Sequence, residues 1–408
     1  MRLNKVVITG LGAVSPFGTG MDALMHGLIS GRSGVRAMEE LSEIAGLRPR
    51  IGGKTPECDA ASIPRKFRRS MSAMSIFAVL AANEAVAQAG LEPKEIRSAG
   101  TGLSVSSTIG STNALQAFFS NFLDGMSIEG IRSTEFFKIM NHSCAANLTQ
   151  YFGITGRVMA PSAACSTGAQ AIGLAAEAIA MGRQEIMICG GADELHPLTV
   201  GTFDIIEAAS TGHNDDPQSA PRPFDAGRDG IVCSDGAGMV VLESLESAQR
   251  RGAVILAELA GFASTSDPSN MACPSSDAIK ACMNAALKDA KAGPEEVDYV
   301  NAHATGTVLG DAAESRAIGE LFGDATPVSS LKGHLGHTMA ASGALELAAT
   351  VRMMRDEILV PTRNLEVISP DCKGIEYILK LQDKAITFAL KNSFALGGIN
   401  TSIALRRI

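Results

Sequence analysis

The sequence predicts an α/β protein whose sheets are covered by helices, and three observations support this prediction. Short apolar runs rich in β-branched residues alternate with longer helical patterns that end on glycine, at 71–90 and 168–182. Hydrophobic residues make up 46% and charged residues 19% of the 408 residues, which is a globular composition. Aromatic residues make up only 4%, whereas glycine occurs 42 times, so we expect close packing of backbone on backbone.

The elements follow in two series along the chain. The first series begins with a buried strand at 6–9, after which Gly10-Leu11-Gly12 predicts a tight turn. The two helices named above come next, with short buried strands at 186–190 and 239–242. A charged segment at 243–252 leads into the second series, which starts near Val254. That series has a strand at 297–300, a helix from Asp311, a helix of small residues at 339–354, and strands at 387–390 and 401–405.

Charge and composition argue against several classes of protein. The net charge of −8 disfavours a general nucleic-acid binder, although a local basic patch can still recognise one acidic partner. The longest uncharged run, 158–176, contains Pro161 and lies in mid-chain, which indicates buried protein and no membrane span. Gly10 and Gly12 interrupt the first apolar stretch, which favours a strand over a signal peptide. The eight cysteines are scattered without C-x-x-C pairs, so we expect a reducing, cytoplasmic setting.

Cys165 is the first candidate for chemistry. It stands in Ala163-Ala164-Cys165-Ser166-Thr167-Gly168, immediately before a helical pattern, where the unpaired N–H groups and the dipole of a helix stabilise a thiolate. Small neighbours leave room for a substrate, and the Cys165 N–H is suited to an oxyanion hole. A buried structural cysteine is the alternative interpretation, and it is the usual fate of a free thiol.

Two of the seven histidines have a context that suggests a site. His303 follows a predicted strand and precedes Ala-Thr-Gly-Thr, a place where active-site groups gather. His337 lies just before the helix of small residues, where a neutral imidazole is suited to hydrogen bonding with developing negative charge. The pair His334-x-x-His337 lacks a neighbouring acid or cysteine that would complete a metal site. Ser15 breaks the G-x-G-x-x-G pattern of a dinucleotide-binding loop.

Taken together, these motifs resemble the β-ketoacyl-acyl-carrier-protein synthases, in their elongating Cys-His-His branch. The resemblance extends from Thr9 to Asn400. It rests on Ala-Cys-Ser-Thr-Gly around Cys165, Asn-Ala-His-Ala-Thr-Gly-Thr around His303, Lys332 five residues before His337, and Asn392-Ser393-Phe394 followed by Gly397-Gly398.

The resemblance implies a thiolase-like fold, with two similar βαβαβαββ halves in a five-layer αβαβα arrangement. The first half, 1–250, would carry Cys165 and a basic docking segment. The second half, 251–408, would carry His303, Lys332, His337 and a gating loop. The two helices of small residues would form the central pair. The family is usually homodimeric, although a heterodimer with a second kind of chain stays open.

The resemblance also implies a mechanism in two stages, without metal or cofactor. Cys165 would accept an acyl group from a carrier-protein thioester, with the oxyanion held by the backbone N–H groups of Cys165 and Leu396. Malonyl-carrier protein would then lose carbon dioxide while His303 and His337 donate hydrogen bonds to the enolate. Attack of the carbanion on the acyl-cysteine would release 3-oxoacyl-carrier protein.

Further roles are implied for the residues around this centre. Lys332 would assist catalysis, Glu346 and Asp311 would support it, and Thr305 and Thr307 would bind the phosphopantetheine arm. The acidic carrier protein would dock on a basic segment, for which the densest basic run in the chain is Arg65, Lys66, Arg68 and Arg69. The ordinary alternatives are an ion pair that only fixes geometry, a loop that caps itself, and a solvated charged surface.

The gating loop departs from the family pattern. The usual Gly-Phe-Gly-Gly stands here as Ala395-Leu396-Gly397-Gly398, so the gating phenylalanine is leucine. The acyl-pocket segment around Ile109 is also atypical. These departures predict an unusual acyl preference and a specialised pathway, in contrast to housekeeping elongation of fatty acids.

Alternatives from other classes remain open. A thiolase acting on coenzyme A esters would have a second cysteine near the C-terminal end, and 392–400 has none. The initiating synthases pair cysteine with histidine and asparagine, and His337 argues against that assignment. A non-catalytic chain-length-factor subunit typically lacks the nucleophile, whereas Cys165, His303 and His337 are all present.

Overall fold

A computed structural model describes residues 3–408 and contains sixteen strands and fifteen α-helices within that range. The strands are β1 (Val6–Ser15), β2 (Gly18–Thr19), β3 (Arg36–Ala37), β4 (Ile51–Gly52), β5 (Thr101–Ser106), β6 (Val158–Met159), β7 (Ile186–Asp193), β8 (Gly236–Ser244), β9 (Ala257–Ser266), β10 (Tyr299–Asn301), β11 (Pro327–Ser329), β12 (Ile358–Leu359), β13 (Glu376–Tyr377), β14 (Gln382–Asp383), β15 (Phe388–Ala395) and β16 (Ile399–Arg406). The helices are α1 (Met21–Ile29), α2 (Glu39–Ser42), α3 (Arg65–Arg68), α4 (Ala73–Ala89), α5 (Pro93–Ile96), α6 (Thr112–Gly125), α7 (Ser133–Ile139), α8 (Ser143–Phe152), α9 (Thr167–Ala180), α10 (Pro197–Ile205), α11 (Leu245–Arg250), α12 (Ser276–Ala290), α13 (Val308–Phe322), α14 (Lys332–Leu335) and α15 (Ser342–Asp356).

The two series of strands have the same topology. In the first, the spatial order is β6-β5-β7-β8-β1, with parallel pairing up to β7 and antiparallel pairing from β7 to β1. In the second, β11-β10-β15-β16-β9 repeats the order and the change of direction, and β13 extends the outer edge. The sheets meet where the first residues of β1 pair with β9. The predicted duplication is therefore visible in the topology.

Helices separate and cover the two sheets, which gives five layers. The central helices α9 and α15 contact each other as well as strands of both halves. Helices α4 and α8 cover the outer face of the first sheet, and α12 lies with α13 on the outer face of the second. A Cβ atom on Gly168 would lie 2.5 Å from the Ala340 carbonyl oxygen, and one on Gly343 would lie 2.6 Å from the Ala169 nitrogen. Only small residues allow this approach of α9 to α15, as the sequence predicts.

The predicted turn at Gly10-Leu11-Gly12 is wrong, because β1 continues through it to Ser15. A Cβ atom on Gly10 would lie 2.0 Å from the Ala85 carbonyl oxygen, and one on Gly12 would lie 1.9 Å from that of Ala81. The two glycines therefore let α4 pack directly on the strand. The helices predicted at 71–90 and 168–182 are confirmed as α4 and α9, and the charged segment 243–252 holds the end of β8 and α11. Among residues 3–408, no helix is both long and apolar enough to cross a membrane.

Candidate active site

Cys165 lies in a single 3₁₀ turn, Ala164–Ser166, immediately before α9. Ala164 has φ 45°, a left-handed conformation that costs a non-glycine residue about 1–2 kcal/mol. The Ser166 hydroxyl donates to the carbonyl oxygens of Ser393 (2.8 Å) and Ile399 (2.9 Å), which ties this turn to β15 and β16. The nucleophile candidate is therefore held between elements of both halves and is only 5% exposed.

Burial and the neighbouring groups shift the pKa of the Cys165 thiol in opposite directions. Burial raises the pKa of Cys165 to about 12, while Lys332 and the backbone N–H groups of Cys165 and Leu396 lower it by less. The Cys165 N–H at the helix start thus favours the thiolate, but burial outweighs this effect and favours the protonated thiol. Both N–H groups predicted for the oxyanion hole nevertheless act on the sulfur atom.

His303 and His337 face the thiol from the second half. His303 follows β10, and His337 precedes the 3₁₀ turn Met339–Ala341 that leads into α15. The Cys165 sulfur and one ring nitrogen of each histidine lie within 4.8 Å of one another, and all three residues are buried. Neither ring nitrogen of His337, nor Nδ1 of His303, has a hydrogen-bond partner within residues 3–408. Unpartnered buried imidazoles next to a thiol are available to a substrate.

Both histidines are kept neutral. Burial lowers the pKa of His303 and of His337 well below 6.5, and the nearby cations Lys332 and Lys391 lower both further. A neutral imidazole carries one N–H donor and one acceptor nitrogen, so each ring is able to donate to an oxyanion or accept the thiol proton. His334, in contrast, turns its ring nitrogens to the carbonyl oxygens of Arg32 (3.2 Å) and Pro361 (3.0 Å).

The predicted ion pair of Lys332 and Glu346 is present and is larger than the sequence suggested. Lys332 Nζ lies 2.6 Å from Glu346 Oε1, and Lys391 Nζ lies 2.8 Å from Glu346 Oε2. All three side chains are at most 1% exposed. One buried carboxylate therefore holds two ammonium groups, which leaves a net positive charge beside the histidines.

Two acidic side chains of α13 fix the loop that carries His303. Glu314 accepts hydrogen bonds from the N–H groups of His303 (2.9 Å) and Ala304 (2.7 Å). Asp311 accepts from the N–H groups of Gly306 (3.1 Å) and Phe224 (2.8 Å), and burial raises its pKa to about 7. Asp311 thus holds the loop through two backbone hydrogen bonds, and its supporting role in catalysis stays a prediction. Sequence reasoning missed Glu314.

A cavity of about 280 Å³ opens onto this centre. Cys165, His303 and His337 line it, together with the predicted residues Thr305, Thr307 and Leu396. The hydroxyl oxygens of Thr305 and Thr307 are 3.2 Å apart. Ile109, which was expected in the acyl pocket, does not line this cavity and is 48% exposed before α6.

The basic segment lies away from the cavity. Arg65, Lys66, Arg68 and Arg69 form α3 and its C-terminal end, and none of them lines the cavity. Arg65, Lys66 and Arg69 are exposed, and none of the four forms a salt bridge within residues 3–408. The docking assignment stays a prediction.

Lys391 is the second residue that sequence reasoning missed. It stands in the buried strand β15, directly before Asn392, and its side chain is fully buried. The sequence holds one sign of this residue, a lysine within the strand-like run Phe-Ala-Leu-Lys-Asn-Ser-Phe. A buried ammonium group without a partner is strongly destabilising, so such a lysine indicates a buried acidic partner.

Fold and site together define a class of protein: a duplicated five-layer α/β fold in which a buried cysteine faces two neutral histidines. Two family models cover most of the chain. The model described as beta-ketoacyl synthase, N-terminal domain, matches residues 3–248, and the corresponding C-terminal domain model matches residues 256–366. The chain belongs to the beta-ketoacyl synthase family.

Relatives and solved structures agree with this assignment over the full length. The 3-oxoacyl-[acyl-carrier-protein] synthase 1 of Escherichia coli K12 is 35% identical, and synthase 2 of Vibrio harveyi is 36% identical, with 100% of each chain covered in both cases. A beta-ketoacyl synthase structure from Burkholderia phymatum has a TM-score of 0.96 and 40% identity, covering 99% of this chain and 100% of that one. The ketosynthase in the complex AntDE:AntF, which includes a type II polyketide acyl-carrier protein, has a TM-score of 0.92 and 31% identity with 100% of both chains covered.

Proposed function

We propose that this protein catalyses decarboxylative Claisen condensation of a cysteine-bound acyl group with malonyl-acyl-carrier protein, giving 3-oxoacyl-carrier protein for fatty-acid or polyketide synthesis. The observation that carries the proposal is the placement of the Cys165 sulfur and two neutral imidazole nitrogens within 4.8 Å of one another at the cavity. The names of the relatives support the same reaction.

In the first stage, Cys165 attacks the carbonyl carbon of an acyl-carrier thioester. The thiol is protonated, so an acceptor nitrogen of a neighbouring neutral histidine takes its proton during the attack. The N–H groups of Cys165 and Leu396 stabilise the tetrahedral oxyanion. The carbon–sulfur bond to the carrier then breaks, and the relayed proton leaves with the carrier thiol.

In the second stage, malonyl-carrier protein occupies the cavity, with its tether along Thr305 and Thr307. The bond to the malonyl carboxylate breaks, carbon dioxide leaves, and the electron pair moves into the thioester enolate. N–H groups of His303 and His337 donate to the enolate oxygen, and each such donor is worth roughly 3 kcal/mol of barrier. The enolate carbon attacks the acyl-cysteine, and the released Cys165 thiolate takes a proton from solvent.

The direct test is intact mass spectrometry of carrier-bound products, with malonyl-carrier protein and a panel of acyl-carrier proteins. We expect a 3-oxoacyl product two carbons longer than the donor, and a Cys165→Ala variant that forms none. Absence of product from every donor, with Cys165 left unacylated, would overturn the proposal and favour a partner subunit. Treatment with EDTA is expected to leave the rate unchanged, because two imidazole donors polarise the thioester without a metal.

We propose a specificity closer to synthase II and to a specialised pathway, on account of Leu396 in the gating loop. The chain-length profile of the same experiment tests this assignment. A Leu396→Phe variant is expected to narrow the range of acyl donors, because the ring fills part of the cavity mouth. An unchanged profile would argue against a role for Leu396 in selection.

We also propose that the protein binds acyl carrier protein as its partner and forms a homodimer. A homodimer is supported by an exposed apolar surface along α6 and α7. Its members are Phe119, Leu123, Met126, Ile128, Phe136 and Phe137, which are 48–76% exposed. Analytical ultracentrifugation tests the homodimer, and a monomer at micromolar concentration would contradict it.

A cytoplasmic location stays a prediction from the sequence. In the structure, all eight cysteines are free thiols.

A further inference from the structure

Lys391 is a buried cation that the mechanism above does not use. Its side chain is fully buried, and its ammonium group lies 2.8 Å from Glu346 Oε2 and 3.2 Å from the Ser393 hydroxyl oxygen, with a further hydrogen bond to the Asn392 carbonyl oxygen. Burying an ammonium group requires strong compensation. The Glu346 carboxylate already pairs with Lys332, and that pair is neutral. Lys391 is therefore not needed to neutralise Glu346.

The contacts of Lys391 connect it to the surroundings of Cys165 and to the loop that carries His303. Through Glu346 it shares a carboxylate with Lys332, which lowers the pKa of the Cys165 thiol. Along β15 its neighbour Asn392 donates to Glu314 (3.3 Å), which accepts the His303 N–H. The strand ends at Ala395, and the N–H of the next residue, Leu396, acts on the Cys165 sulfur.

We propose that Lys391 is a second cationic positioning residue for the condensation: it and Lys332 hold Glu346 between two ammonium groups, so that this cluster of three side chains carries one net positive charge near His303 and His337. The inference rests on the proposed function. During decarboxylation the negative charge leaves the malonyl carboxylate with formation of carbon dioxide and moves to the enolate oxygen, next to the two histidines. A fixed positive charge at that place lowers the energy of the enolate and keeps both imidazoles neutral.

The charged groups that face Lys391 determine how it titrates. Glu346 comes from α15, Lys332 from α14 and Glu314 from α13, while His303 and His337 stay neutral. Burial and Lys332 lower the pKa of Lys391 to about 8, against the opposing effect of the two carboxylates. We therefore expect the cluster of Lys332, Glu346 and Lys391 to lose its net positive charge above about pH 8, with a falling rate of decarboxylation.

The test measures carbon dioxide release from malonyl-carrier protein between pH 6 and 10 for wild type and three variants. Lys391→Met is expected to lower the rate on the order of tenfold at pH 7 and to remove the decline near pH 8. Lys391→Arg keeps a charge that does not titrate in this range, so it is expected to recover most of the rate without that decline. Lys380→Met, at an exposed lysine between β13 and β14, is the matched control and is expected to follow wild type.

The outcomes separate this inference from the proposed function. A wild type that releases no carbon dioxide and forms no product overturns both. An active wild type with a Lys391→Met profile equal to that of Lys380→Met overturns the role of Lys391 alone. Should Lys391→Met fail to fold, which thermal melting detects, the comparison of wild type with Lys391→Arg decides. A decline near pH 8 that persists in the arginine variant, or that is missing from wild type, overturns the inference.

Discussion

At the scale of single residues, the environment of Cys165 differs from that of an exposed reactive thiol. Its sulfur atom is buried, and the protonated form is favoured until another group takes the proton. The two neutral histidines beside it are the nearest such groups. The reactivity of Cys165 therefore depends on transfer of its proton to one of these groups, because burial raises the pKa of the thiol.

Alkylation of Cys165 is expected to be slow at neutral pH. With a pKa of about 12, its thiolate fraction and therefore its rate with iodoacetamide increase about tenfold per pH unit between pH 7 and 10. Exposed Cys273 is expected to react first at pH 7, and a Cys273→Ser variant removes that background. Peptide mass spectrometry measures each site. Fast alkylation of Cys165 that levels off below pH 8 would show a lowered pKa and contradict this account.

The histidines are expected to give the decarboxylation step no acid limit near pH 6.5, the ordinary pKa of histidine. Burial and the nearby lysines hold their pKa values well below 6.5, so lowering the pH from 7 to 6.5 leaves them neutral and able to react. The assay is carbon dioxide release from malonyl-carrier protein by Cys165→Ala, in which no acyl transfer interferes. A rate that falls severalfold between pH 7 and 6.5 would contradict neutral histidines. Replacing His303 or His337 by alanine is expected to lower the rate about 10²–10³-fold.

At the scale of elements, the loop between β15 and β16 carries the oxyanion donor and closes the cavity. Gly397 and Gly398 have φ of 87° and 76°, a region that strains other residues. The two glycines differ in the room available for a side chain. A Cβ atom on Gly398 would lie 2.1 Å from the Asp267 carbonyl oxygen, whereas one on Gly397 would have no neighbour within 4 Å. Gly398 is thus packed against the segment after β9, and the Asp267 N–H donates to the Gly398 carbonyl oxygen (2.7 Å).

Alanine at these two positions forms a matched pair. Gly397→Ala is expected to cost only the strain of a left-handed residue, about 1–2 kcal/mol in the free energy of unfolding. Gly398→Ala is expected to cost roughly 1–3 kcal/mol more and to lower the condensation rate, because the overlap with Asp267 displaces Leu396. Denaturant unfolding and the mass-spectrometric assay measure the two effects. Equal stability of the two variants would contradict the packing of Gly398 on Asp267.

At the scale of the whole molecule, the protein is acidic while its proposed partner is an acidic carrier. The net charge of −8 makes a local basic surface necessary for fast association. The segment 65–69 is the predicted docking surface: Arg65, Lys66 and Arg69 are exposed, and Lys66 Nζ lies 4.7 Å from the centre of the Phe67 ring.

Reversing two of these charges is expected to weaken binding of the carrier. The double variant Arg65→Glu/Lys66→Glu should raise KM for acyl-carrier protein roughly tenfold at low salt, equivalent to about 1.4 kcal/mol, with kcat unchanged. The difference from wild type should shrink as salt screens the charges. Lys373→Glu, at an exposed lysine of the second half, is the control for net charge. A KM that matches that control would place the docking surface elsewhere.

The sequence by itself determined the alternation of strands and helices, the two helices of small residues, and the candidate residues Cys165, His303, Lys332 and His337. The predictions of elements are confirmed because they depend on local patterns, namely periodicity and small residues in a helix, whereas Lys332 became a candidate only through the family resemblance. The predicted turn at Gly10-Leu11-Gly12 failed because a glycine needed for close packing of α4 has the same local pattern as one needed for a turn.

Only the tertiary structure decided which of these residues meet and in what state. Glu346 holds both Lys332 and Lys391, and Glu314 holds the His303 loop, through contacts between segments far apart in the chain. The protonation of Cys165 and of the histidines follows from burial, which depends on the packing of both halves. The residues next to a side chain in the sequence do not reveal how deeply it is buried. The pKa values of Cys165 and the two histidines are therefore set by the packing of the two halves, which only the tertiary structure shows.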